Sequence, residues 1–156
     1  MRTGIGFDAH AFDATRPLVL GGVTIPGAPG LAGWSDADVL SHAMADALLG
    51  AAALGDLGTH FSESQVPEGI SSVEILESTV KLLADAGYAI VNIDSTVIAQ
   101  SVPIAPHVAA IRSKIANALG IDEGKISVKA TTTDKLGFTG RGEGIAAFAV
   151  ALVEVA

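Results

Sequence analysis

Three ionisable side chains in the stretch Ser35 to Asp56, SDADVLSHAMADALLGAAALGD, share one spacing: Asp38, His42 and Asp46 stand at i, i+4 and i+8. In a helix of about 3.6 residues per turn they stack one turn above the next, acid, imidazole and acid along a single stripe. Thr3 to His10, TGIGFDAH, alternates like a short strand, and its period of two puts Asp8 and His10 on the same side. Asp8, His10 and His42 together offer a carboxylate and two imidazoles, three ligands with a fourth position open, which is the form of a catalytic zinc site. The two imidazoles favour zinc over magnesium. Plainer readings stand beside this one. An Asp-x-His pair arises by chance or caps a turn, and the wet side of an amphipathic helix accounts equally well for Asp38, His42 and Asp46.

A second polar stretch, VKATTTDKLGFTGRGEG from Val128 to Gly144, leaves a strand with three threonines, an acid and several glycines, near Lys129, Lys135 and Arg141. Hydroxyl and backbone N–H donors beside cations make a phosphate cradle; a threonine-stabilised hairpin is the alternative. It is not a Walker loop, since the G-x-x-x-x-G-K-[ST] pattern is absent. Between the two stretches, Asp56 and Glu63 lie in a glycine-bearing loop where they could accept hydrogen bonds from sugar hydroxyls or simply face solvent.

The elements that must position these groups follow from punctuation and period. Ser35 is expected to cap the His42 helix, with Asp36 and Asp38 in its first turn. Leu40, Met44, Ala47, Leu48 and Ala51 form its core stripe. Ahead of it, Leu18 to Ile25 reads as a strand interrupted at Gly21-Gly22, and Pro26 to Gly33 as a loop carrying the chain to Trp34, the single tryptophan, expected to be a packing anchor. Ser71 to Glu74 is a capping box opening a second helix with Val73, Leu76, Val80, Leu83 and Ala84 inward and Gly87 at its end. Tyr88 to Gln100 is strand-like, Ser101 to Pro106 a turn, and His107 to Leu119 a third helix ended by Gly120. Lys125 to Thr131 and Ile145 to Val153 complete the set as strands.

Composition excludes several classes. With no cysteine among 156 residues, thiolate metal sites and disulfides are impossible, which fits a reducing, cytoplasmic setting. A net charge of -8 repels nucleic acid and anionic membrane alike, and no apolar run has the length of a membrane span. Mean hydropathy is +0.50, yet aromatics make up only 4%. So aliphatic a small chain suggests close packing between subunits.

Three segments, GFDAH at 6 to 10, SDADVLSHAMADALLGAAALGDLG at 35 to 58 and KATTTDKLGFTGRGEG at 129 to 144, closely resemble the 2-C-methyl-D-erythritol 2,4-cyclodiphosphate synthase family. The resemblance runs the length of the chain. It implies a single α/β (α+β) domain over residues 1–156, a mixed β-sheet with helices on one face, and a homotrimer with active sites between subunits. The implied reaction converts 4-diphosphocytidyl-2-C-methyl-D-erythritol 2-phosphate to the 2,4-cyclodiphosphate with release of CMP, in the non-mevalonate isoprenoid pathway. The resemblance makes Asp8, His10 and His42 zinc ligands. It gives Asp134 to a second ion, magnesium or manganese, and makes Thr132 the residue orienting the transferred phosphate. Asp56, Leu57, Gly58, Phe61, Glu63 and Gln65 would receive the erythritol part; Ala99, Pro103, Ala105 and Thr131 would line the cytidine pocket. Trp34, Ser35, Thr133, Phe138 and Arg141 complete the implied substrate contacts.

Several positions depart from the family pattern. Trp34 stands where a histidine credited with transition-state stabilisation is usual, Ala37 for a glycine, Glu63 for an aspartate and Asp134 for a glutamate. Val102-Pro103-Ile104 lacks a common Pro-Lys pair, and Phe148 replaces a frequent glutamate near the trimer axis. Indole carries no charge, so the expectation at Trp34 is that backbone amides of Trp34 and Ser35, at the helix start, hold the diphosphate while the ring acts as a lid. Two other readings compete: a zinc phosphodiesterase using water on the same site, and a non-catalytic trimer that binds an isoprenoid diphosphate.

Overall fold

The computed structural model describes residues 1–156. The elements are β1 (Arg2–Leu20), β2 (Val23–Leu31), α1 (Val39–Ala52), α2 (Leu57–His60), α3 (Ser72–Asp85), β3 (Tyr88–Ile98), α4 (Val108–Leu119), β4 (Ile126–Thr131), α5 (Gly137–Gly140) and β5 (Gly144–Val155). One sheet runs β2-β1-β5-β3-β4. All neighbours are antiparallel except β3 and β4, which α4 joins as a parallel crossover, so the sheet is mixed and the class α+β. No helix is long and apolar enough to cross a membrane.

Glycine decides how α1 meets the sheet. A Cβ at Gly4 would lie 2.0 Å from the Ala47 carbonyl oxygen, and one at Gly6 1.9 Å from that of Ala43. Their absence lets α1 lie directly on β1, and the strand's period of two then points Asp8 and His10 toward the same helix. Alanines complete the contact: Ala147, Ala149 and Ala151 of β5 face α1 with essentially no exposure.

Several boundaries differ from expectation. The stretch around Gly21-Gly22 is a hairpin: Leu18 to Leu20 pairs with Val23 to Ile25 across a two-residue turn with φ of 58° and 74°, where glycine is the residue of choice. The strand β2 continues through Pro26 and Pro29, which an edge strand tolerates. Asp38, not Ser35, caps α1. Its carboxylate accepts N–H bonds from Ser41, Gly21 and Gly22 and hydroxyl bonds from Ser41 and Ser72. One carboxylate with five donors ties the hairpin and α3 to the start of α1, which a serine hydroxyl could not do. The chain turns into this cap at Ala37, whose φ of 55° is a left-handed conformation suited to glycine. On α3 the capping box at Ser71 is present, but Ser72, Ile75, Leu76, Thr79 and Leu83 form the buried face, with Val73 and Val80 half-buried and Ala84 exposed. The threonine stretch is no hairpin, because β5 lies between β1 and β3 and does not pair with β4.

The sheet's other face is bare. Ile5, Phe7, Phe148 and Val150 point from it, between 42% and 69% exposed, with the Phe7 and Phe148 rings 4.7 Å apart.

Candidate active site

At the meeting of β1 and α1, the Asp8 Oδ2 oxygen stands 2.8 Å from His10 Nε2 and 3.1 Å from His42 Nδ1. The two nitrogens are 3.3 Å apart. Tetrahedral zinc with bonds near 2.0–2.1 Å needs ligand atoms about 3.3 Å apart, so this donor set accepts zinc with movements of a few tenths of an ångström. The remaining ring nitrogens prepare the ligands. A carbonyl can only accept, so the 2.6 Å contact from His10 Nδ1 to Ala32 puts the proton on Nδ1 and leaves Nε2 to bind. His42 Nε2 faces the Ser35 hydroxyl at 3.1 Å, leaving Nδ1 inward. Burial works against ionising Asp8, but hydrogen bonds from His10 and His42 prevail and bring its carboxyl down to about 2. Burial likewise opposes charge on His10, yet the Asp8 contact holds its imidazolium above the ordinary range.

The wet-side alternative for the helix does not hold. Asp38 is fully buried as the cap and His42 is buried, while the half-buried Asp46 accepts the Leu57 N–H and so joins α1 to α2. Burial pushes the Asp46 carboxyl up.

A cavity of about 220 Å³ opens beside the cluster, lined by Trp34, Ser35, Leu57, Gly58, Phe61 and Glu63 together with Val66, Ile70 and Ile75. Not every expected contact faces it. Asp56 caps α2 through Thr59. Gln65 holds its own loop, accepting from Ser62 and donating to Thr59. Trp34 and Ser35 do not stand at a helix start, because α1 begins at Val39 and Asp38 is its cap. Val66, Ile70 and Ile75 were missed because apolar residues in a loop and on a helix carry no chemical signature; the tie from Arg16 to the carbonyls of Gly33 and Ser35 was equally invisible.

The threonine stretch forms a different locality. Ala99, Pro103, Ala105, Thr131 and Thr132 line a shallow cleft of about 320 Å³ at the ends of β3 and β4. Thr132 and Asp134 are linked by an N–H bond of 3.3 Å, with Asp134 and Lys135 both in left-handed backbone. Thr133 is turned inward to the Leu136 carbonyl and Thr139. Phe138 is 40% exposed. The expected cations are largely engaged: Lys129 pairs with Asp94 and Arg141 with Glu143. Asp8, Ala147, Val97 and Ala130 lie in one register row across β1, β5, β3 and β4. At about 4.8 Å per strand, the backbone of the cleft is about 14 Å from that of the metal cluster.

The whole chain has close relatives. The YgbB family model matches residues 1–154. The 2-C-methyl-D-erythritol 2,4-cyclodiphosphate synthase of Marinobacter nauticus is 55% identical over 99% of this chain and 98% of its own length. Among solved structures, the bifunctional IspDF of Campylobacter jejuni is 42% identical with a TM-score of 0.95, covering 99% of this chain but 42% of that longer one. An IspF from Plasmodium falciparum in complex with CDP is 35% identical with a TM-score of 0.85, covering 99% and 96%. Full-length identity of this order, on the same fold and with the Asp8, His10 and His42 cluster assembled, means that the chain belongs to the YgbB family of 2-C-methyl-D-erythritol 2,4-cyclodiphosphate synthases.

Proposed function

We propose that this protein converts 4-diphosphocytidyl-2-C-methyl-D-erythritol 2-phosphate to 2-C-methyl-D-erythritol 2,4-cyclodiphosphate and CMP, as a cyclising phosphorus-oxygen lyase of isoprenoid biosynthesis. The observation that carries the reading is the Asp8, His10 and His42 cluster at the edge of a half-apolar pocket. Those three residues would hold zinc, and Asp134 a second divalent ion, magnesium or manganese. The ions would supply positive charge against the diphosphate as negative charge redistributes during phosphoryl transfer.

The chain's own residues position and donate. An oxygen of the substrate's 2-phosphate attacks the β-phosphorus; the bond from that phosphorus to the CMP oxygen breaks, and CMP leaves with the electron pair. No protein nucleophile is needed, so alignment supplies most of the rate. Ser35 accepts from Ala37 N–H and faces His42, which leaves its hydroxyl proton for a phosphate oxygen. Thr132, exposed at the cleft, donates to the transferred phosphate. Phe61 and Glu63 receive the erythritol part, and the Ala99 to Ala105 loop the cytosine; that the Plasmodium relative was solved with CDP supports a cytidine ligand.

Assembly as a homotrimer would bring the two localities together, the threonine cleft of one subunit facing the metal cluster of the next. The bare apolar strip of Ile5, Phe7, Phe148 and Val150 supports burial of that sheet face between subunits. Light scattering should give close to three times the 15.7 kDa chain mass; a monomer would count against shared sites. Incubation of the purified protein with substrate, zinc and magnesium, followed by phosphorus NMR, tests the chemistry. The cyclic diphosphate with CMP is expected. A linear product with CMP would make the protein a zinc phosphodiesterase, and no turnover would leave a binding role.

A further inference from the structure

Trp34 lines the pocket, yet its indole N–H and its carbonyl are both engaged within the protein. The indole Nε1–H donates to the Val66 carbonyl at 3.2 Å. The Trp34 carbonyl accepts from Gly69 N–H at 2.8 Å, and Asp36 N–H donates to Ile70 at 3.1 Å. Three bonds therefore fasten residues 34–36 to residues 66–70. On the opposite side the Arg16 guanidinium donates to the carbonyls of Gly33, at 2.6 Å, and of Ser35, the two residues that flank Trp34. Arg16 sits on β1, the strand that carries Asp8 and His10. Its planar fork fixes two carbonyls at once, which a flexible ammonium does less well.

The segment held this way is the far wall of the pocket. Phe61, Glu63, Val66 and Ile70 come from it, and only a few bonds tie it to the rest of the chain, Gln65 to Thr59 among them. An indole has one N–H, and here it is committed to a backbone carbonyl, so it is not available to a phosphate. We propose that Trp34 is a positioning residue: braced from behind by Arg16, its indole N–H holds the 61–70 segment at the spacing that lets Phe61 and Glu63 close on the substrate. The functional part of this inference rests on the reading of the pocket as the erythritol site; the mechanical part does not.

The test uses Trp34→Phe, which keeps an aromatic ring and removes the N–H, and Arg16→Gln, which removes the brace. Loss of one net hydrogen bond should speed amide exchange in residues 61–70 by about fivefold while leaving α1 and the sheet unchanged. The same variant should raise KM by about fivefold with kcat within about twofold and zinc content unaltered. Trp34 is the only tryptophan, so its emission reports the brace directly: Arg16→Gln should shift it to longer wavelength, and Arg16→Lys should fall between. Unchanged exchange and KM in Trp34→Phe would overturn the proposal. So would a fall in kcat at constant KM and constant exchange, which would make the indole N–H a catalytic donor. Faster exchange in a protein whose parent turns over no substrate would overturn the functional reading alone and leave the brace standing.

Discussion

The metal cluster and the threonine cleft are built in opposite ways. In the Asp8, His10 and His42 cluster, every side chain is carried on a strand or a buried helix, and each imidazole is held by a second partner, Ala32 or Ser35. Nothing in that locality needs another chain to be in place. At the cleft, Thr131 ends β4 and Thr132 and Asp134 follow it; all three are exposed and their side chains are bonded mainly to one another, while the backbone at Asp134 and Lys135 is left-handed without glycine. Left-handed backbone at two successive non-glycine residues costs about 1–2 kcal/mol each and persists where something else fixes it. The contrast teaches that the Asp8, His10 and His42 cluster is fixed within one chain, whereas the threonine cleft is left open at that chain's surface.

The variants below sharpen or break that contrast, in order of expected size. His42→Ala removes a ligand from the finished half, and zinc content by atomic absorption should fall from about one per chain to near none, with turnover down by about a thousandfold or more. Far-ultraviolet circular dichroism should be unchanged, since the core around α1 is intact. Retained zinc with full activity would break the ligand assignment. Thr132→Ala removes a donor from the exposed half. It should lower kcat by about a hundredfold without moving zinc content, and Thr132→Ser should recover most of the loss. Ser35→Ala leaves the ligands but frees His42 Nε2, so zinc affinity measured by competition with a chelator should weaken by about tenfold.

The smallest effect is a pH dependence confined to the metal half. With Asp8 beside it, His10 keeps its proton to a higher pH than a free imidazole. In metal-free protein this pair stabilises the fold fully below the unfolded value near 6.5, and the contribution is lost as pH rises through the raised folded value. Zinc competes with that same proton, so loaded protein has the opposite slope. Thermal melts with and without chelator between about pH 5 and 8 should therefore converge on the acid side and separate on the alkaline side. A gap that does not vary with pH would contradict the assignment of His10 Nε2 as a ligand.

Legibility followed the kind of information each feature depends on. The cluster was readable because strand and helix periods are local, and its two parts, Asp8 with His10 on one strand and His42 on α1, needed only one packing contact to meet. That contact is itself written in Gly4 and Gly6, but as an absence of side chain, which is harder to read than a carboxylate. Ser35 looked like a cap because serine before a helix usually is one; Asp38 took the role because long-range partners, Gly21, Gly22 and Ser72, converge on it. The hairpin alternative for the threonine stretch was open for the same reason, since only the insertion of β5 between β1 and β3 rules it out. The bonds of Arg16 and Trp34 join backbone carbonyls in loops, and carbonyls are identical at every position in a sequence.

The central claim is that each active site combines the metal half of one subunit with the phosphate half of its neighbour. It is tested by mixing. His42→Ala and Thr132→Ala chains, each nearly inactive alone, are unfolded together in equal amounts, refolded with zinc and magnesium, and assayed for CMP release. Random assembly into a cyclic trimer leaves about a quarter of the sites with an intact metal half and an intact neighbouring threonine, so activity should recover to about a quarter of the wild-type value. If both halves of each site came from the same chain, no mixture of the two variants could exceed the sum of its inactive parts, and that result would contradict the account.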